Sequence, residues 1–142
     1  MSRVDNEPIC QISIYLKGDN IDPQHLTDQL GIIPTRSHRK GHTWITASGK
    51  EVVERTGIWV LSIRSPEGVS SALCELASKL TLGRIALRDM TGIEESFIDI
   101  FMTSNPDKSG GGTVEFNLDD EGAAAINKIG LPLQFTITFI QE

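Results

Sequence analysis

The chain predicts an α+β fold: a mainly antiparallel sheet with about three helices packed on it, in the order β-α-β-β-α-β-β-α-β. Three observations carry this. Several short segments alternate apolar and polar residues at period two, three others place apolar residues at helical spacing between capping residues, and one pair of strands is joined by a short Gly-containing turn.

The first strand is Ile9–Lys17, where Cys10, Ile12, Ile14 and Leu16 alternate with Gln11, Ser13 and Tyr15. Helix one follows over Asp22–Leu30, with Asp22 as N-cap, Pro23 at N1, Ile21 and Leu26 as a hydrophobic staple and Gly31 as the stop. A basic connector then leads to a hairpin, His42–Thr46 and Glu51–Arg55 around Ala47-Ser48-Gly49-Lys50. Gly57–Arg64 is apolar on both sides, as in a strand with two buried faces. Helix two is expected to be capped at Ser65-Pro66-Glu67, to carry Val69, Leu73, Leu76, Ala77 and Leu80 inward, and to end near Gly83. A short helical turn over Ile85–Met90 precedes the strand Ser96–Met102. After a polar loop, Thr103–Gly112, the alternation of Val114, Phe116 and Leu118 predicts a strand over Thr113–Leu118. Helix three spans Asp120–Ile129 before Gly130, and Leu131–Ile140 reads as a half-exposed final strand that could pair with another chain if it lies at a sheet edge.

At 142 residues the chain is the size of one domain, read as 1–142 with 1–8 as a flexible tail. No apolar run reaches the roughly 20 residues that span a bilayer, and the N-terminus lacks the apolar core of a signal peptide, so a soluble cytoplasmic protein is expected. Cys10 and Cys74 lack metal-ligand or redox spacing and read as reduced core thiols. The net charge is −6, unevenly placed. Residues 1–88 hold 11 basic and 9 acidic side chains, a net of +2, whereas residues 89–142 hold 2 and 10, a net of −8. An acidic half repels phosphate backbones and attracts basic proteins, which disfavours nucleic acid as a partner.

The order of short motifs resembles domain-of-unknown-function family 4279. Leu30-Gly31-x-x-Pro34-Thr35, the polar stretch to Gly41, the strand opening Thr56-Gly57-Ile58-Trp59 and the late Gly111-Gly112 carry the resemblance, which covers the chain from about Ile12 to Ile140. It implies a small bacterial cytoplasmic domain with no assigned reaction and no catalytic residues to transfer. It also implies an association with toxin systems, and so an immunity-type role.

Two surfaces are candidates for function. The carboxylates Glu94, Glu95, Asp99, Asp119, Asp120 and Glu121 could receive a basic protein such as a toxin domain, with Asp119 and Asp120 also suited to capping a helix. Phe97, Asp99 and Phe101 share one strand face as a candidate binding patch. The alternative is an anion site in the connector, where Thr35, Arg36, Ser37, His38, Arg39 and Lys40, near Trp44, offer cations and hydroxyls. Equally, these cations could cover the acidic C-terminal half of the same molecule. His38 and His42 flank Gly41 in a connector, which does not give the shared helix face of a metal-binding pair, and no Ser stands in a Gly-x-Ser-x-Gly elbow. Neither a catalytic residue nor a metal or cofactor is therefore assigned. Trp59 is expected in the core.

Overall fold

The computed structural model describes residues 9–83, 86–105 and 110–140. The expected tail 1–8, Ile85 of the short turn and part of the polar loop lie outside them. Seven strands and three helices follow one another as β1 (Ile9–Gly18), α1 (Pro23–Leu30), β2 (Arg36–His38), β3 (Thr43–Ile45), β4 (Glu51–Val53), β5 (Gly57–Arg64), α2 (Val69–Lys79), β6 (Glu95–Ser104), α3 (Asp120–Ile129) and β7 (Leu133–Phe139). A 3₁₀ turn at Leu87–Asp89 precedes β6. The α+β fold and its mainly antiparallel sheet are as the sequence predicts.

Five strands form the main sheet in the order β2-β5-β1-β6-β7, and β3 and β4 form a separate hairpin. β1 pairs antiparallel with both β5 and β6, while β7 runs parallel to β6. The parallel pair is joined through α3, since two parallel neighbours need a crossover long enough to return the chain to its starting end.

The helices pack on one face only. Ile12, Ile14 and Leu16 of β1 meet Trp59, Leu61 and Ile63 of β5 and Ile98, Ile100 and Met102 of β6, beneath Leu26 and Leu30 of α1, Leu73 and Leu76 of α2, and Ala125 and Ile129 of α3. Trp59 is fully buried, and its indole Nε1 donates to Thr27 Oγ1 at 3.1 Å, which satisfies the one polar atom that this large side chain takes inside. Ile58 and Val60, on the opposite face of β5, are also buried but lie outside this cluster.

Three expectations are corrected. Residues 36–38 of the connector form a strand, pairing with Val60, Trp59 and Ile58; three polar residues carry no apolar alternation, so only β5 reveals them. Helix two starts at Val69, because Ser65-Pro66-Glu67 makes a turn closed by the Gly68 N–H on Ser65 O at 3.5 Å, and Gly68 takes φ 111. It stops at Lys79, where Leu80 turns extended and Thr81 N–H bonds to Leu30 O at 2.9 Å. Finally, Thr113–Leu118 forms no strand: Val114 and Phe116 pack against the core, but β7 holds the place beside β6. One-sided burial of a covering segment imprints the same alternation as a ladder.

One end of the sheet is closed by backbone contact. A Cβ on Gly18 would collide with the carbonyl oxygen of Gly92, and one on Gly57 would lie 2.6 Å from Gly18 O. Gly18→Ala should therefore cost about 1–3 kcal/mol through forced backbone shifts, and Thr27→Val a similar amount, about 1–3 kcal/mol, by orphaning the Trp59 N–H. Denaturant unfolding measures both, and a Gly18→Ala midpoint equal to that of the wild type would refute the close approach.

Candidate functional site

Three surfaces hold the residues singled out in the sequence. The first is a groove of about 390 Å³ where the start of β1, the N-terminus of α2 and the segment before α3 meet. Glu67, Glu115 and Asp119 line it, above an apolar floor that includes Cys10, Val69 and Phe116, and no basic side chain lines it among the described residues. Its geometry follows from the two helix starts. Asp119 caps α3 by accepting from Gly122 N–H at 2.8 Å, and its own N–H donates to Ser70 Oγ at 2.9 Å, which ties α3 to α2. Ser70 in turn donates to Asn117 O at 3.4 Å. Gly122 allows this closeness, since a Cβ there would stand 2.5 Å from Ser70 Oγ. Glu67 accepts from Ser71 Oγ at 3.3 Å beside the first turn of α2. Helix N-termini stabilise nearby carboxylates, so acidic groups gather here at reduced mutual cost. Asp120 and Glu121 lie exposed in the first turn of α3. Burial pushes the Cys10 thiol above its usual pKa, so it stays protonated at neutral pH.

The second surface is the sheet face without helices. Tyr15 and Phe97, opposite each other in register, stack with ring centroids 5.0 Å apart, and Lys17 Nζ lies 5.6 Å and 5.4 Å from the two centroids. Asp99, half-buried, accepts from Thr136 Oγ1 at 3.0 Å, and Ser13 and Ser62 share a hydrogen bond of 2.7 Å. Phe101 is likewise half-buried. Glu95 opposes Lys17, and Glu94 accepts from Asp19 N–H at 3.2 Å at the Gly18 end of β1. Of the six carboxylates, Glu94, Glu95 and Asp99 thus belong to this sheet strand and its entry, whereas Asp119, Asp120 and Glu121 belong to the groove side.

The third surface is the connector. Thr35 Oγ1 accepts from Ser62 N–H at 2.9 Å, and Ser37 opposes Trp59 in the ladder. Arg39 pairs with Asp22 at 2.9 Å and Lys40 with Asp19 at 3.2 Å. The cations therefore do find carboxylates within the molecule, but at the start of α1 and not in the acidic C-terminal half. Arg36 is exposed and makes no ion pair among the described residues. His38 lies 3.5 Å from Glu54, whose other oxygen accepts from Trp44 Nε1 at 2.7 Å, and the His38 and His42 rings stack at 6.1 Å. Trp44, named with the candidate anion site, is 44% exposed on the hairpin. Glu54 is the residue that pattern reasoning missed; it follows β4 directly and is held by backbone bonds to Gly41 and His42, partners that the hairpin fold decides.

The ion pairs set an acid limb of stability. Asp19 is held below the usual carboxylate range by hydrogen bonds from Lys40 and Thr56, and Asp22 by the backbone N–H of His25 and then by Arg39. Depressed folded-state values give stability that is complete above the unfolded pKa near 3.9 and is lost as pH falls through the folded values. The double variant Arg39→Met, Lys40→Met should lose a little stability at neutral pH, little because both pairs are exposed, and its profile should converge on that of the wild type below about pH 4, so that the acid limb is flatter. Thermal melts across that range test it; a parallel pair of pH profiles would show that the two cations contribute nothing.

No helix among the described residues is long and apolar enough to cross a membrane. No curated protein and no solved structure matches the chain. A family model does match, over residues 8–139, and it takes in β1 through β7 and with them all three surfaces. The chain belongs to DUF4279, a domain of unknown function.

Proposed function

We propose that this protein is a non-enzymatic protein-binding module that takes a basic partner, in the manner of an immunity protein or antitoxin that occludes a basic toxin domain. The acidic groove between α2 and α3 carries this reading. It combines what a protein anchor needs: a concave shape large enough for an arginine or lysine head, three carboxylates with no cation beside them among the described residues, and an apolar floor for the aliphatic stem. One Asp119 oxygen is used by the cap, which leaves the other for a partner. Asp120 and Glu121 border the groove, and Glu94, Glu95 and Asp99 add to the field of a chain with net charge −6 that draws a basic surface in. The Tyr15 and Phe97 pair, with Phe101, offers the second, less polar contact.

The connector is the weaker alternative as an anion site. Arg39 and Lys40 would have to leave Asp22 and Asp19 to bind one, whereas Arg36 has no ion pair to break among the described residues.

Co-expression with the domain encoded immediately upstream tests the proposal by growth rescue. Wild type should rescue, and Glu115→Lys, Asp120→Lys should lose rescue while its melting temperature stays within a few degrees of wild type, since both residues are exposed. Association of the purified pair should slow by at least about tenfold between low and near-molar salt, as expected for steered encounters. Rescue that survives the reversals would remove the groove from the mechanism, and salt-insensitive binding would remove the charge argument.

A further inference from the structure

We infer that β7 is a homodimer interface, in which two copies of this chain pair antiparallel along their β7 edges about a two-fold axis at Thr136. β7 is the last strand of the main sheet, so one side of its backbone has no partner strand among the described residues. The hydrogen bonds identify that side. Pro132 O accepts from Ile98 N–H, and Ile140 N–H donates to Ser104 O, both at 2.8 Å, so the even-numbered residues point their amide groups at β6. Alternation along a strand then turns the N–H and C=O of Leu133, Phe135, Ile137 and Phe139 outward.

All four side chains are apolar, Leu133 half-buried against the core and the other three exposed. They lie on the helix side, in register with Ile98, Ile100, Met102 and Ser104. Ile98, Ile100 and Met102 are buried, but the helix layer ends before β7, leaving Phe135 50%, Ile137 43% and Phe139 52% exposed. Phe116 reaches over only as far as Phe135, with centroids 5.8 Å apart. An edge of this kind attracts another strand unless charge, proline or brevity blocks it. The opposite edge is blocked in that way, since β2 is three residues long and displays the charged Arg36. β7 has none of these devices.

The occupant is a second copy because the strand is complementary to itself. Leu133-Gln134-Phe135-Thr136-Ile137-Thr138-Phe139 reads apolar, polar, apolar, Thr, apolar, polar, apolar, the same in both directions. With Thr136 opposite its own mate, Phe135 meets Ile137 and Leu133 meets Phe139. These are the outward-turned residues, so each pair exchanges both backbone hydrogen bonds, and Thr136 occupies the non-hydrogen-bonded site on the axis. Charge agrees. Two copies of net −6 repel one another, and they can meet only through a neutral segment; Gly130–Ile140 contains no ionisable side chain.

Sedimentation analysis of the full chain from low to high micromolar concentration tests this. Wild type should sediment at twice the chain mass, and Ile137→Pro, which removes an outward N–H and leaves the β6 ladder intact, should sediment as a monomer with unchanged far-ultraviolet circular dichroism. Should that variant fail to fold, Ile137→Lys sets two like charges about the axis and should also give a monomer. The melting temperature of wild type should rise with protein concentration and that of the monomeric variant should not. A wild type that is monomeric throughout the range, including one that pairs this edge only with a different protein, overturns the inference, as does a dimer that survives the folded variants.

Discussion

β1 lies in the middle of the sheet with a strand bonded along each side, so every other layer takes its orientation from the alternation of this one segment. Ile12, Ile14 and Leu16 are fully buried under the helices, and their register partners Ile63, Leu61, Trp59, Ile100 and Ile98 inherit the same side. Burying each such side chain contributes about 1.5–3 kcal/mol, and a slip of one residue would turn the whole set outward. The intervening residues Gln11, Ser13, Tyr15 and Lys17 then necessarily share the other face, together with Phe97, Asp99 and Phe101. The composition of the helix-free sheet face is thus a consequence of the core pattern.

Two further constraints position the surfaces. At the Gly18 end, Gly18, Gly57 and Gly92 bring three chain segments closer than side chains allow, and Lys40 and Arg39 reach back from the connector to Asp19 and Asp22. At the Cys10 end, the Gly122 and Ser70 contact brings the starts of α2 and α3 together. Both helices then direct positive N-terminal ends toward one groove, which explains why carboxylates rather than cations line it.

The two sheet edges are treated differently. β2 is short and polar, and the Thr35 that precedes it is bonded to β5, whereas β7 is long, uncharged and apolar on the side where helix cover ends. A single helix, α3, lies in the crossover between the parallel strands β6 and β7 and also starts at the groove, and Phe116 joins the two surfaces, since it lines the groove and packs against Phe135 of β7.

The sequence by itself determined the elements whose cause is local. Asp22, Pro23 and Gly31 mark α1 because a cap, a fixed φ and a left-handed stop act over four residues, and the alternation in β1, β6 and β7 reports burial on one side of an extended chain. The acidic character of the C-terminal half and the caps Asp119 and Gly130 were legible for the same reason. Only the tertiary structure decided what depends on a neighbour distant in sequence. Arg36–His38 is a strand because β5 offers it a ladder, and Thr113–Leu118 is none because β7 occupies the site beside β6. Glu67 and Glu115 joined Asp119 because helix packing closed a groove over residues scattered along the chain. A residue pattern records which side of a segment is buried; it does not record what buries it, since apolar burial is non-directional and many partners would leave the same imprint.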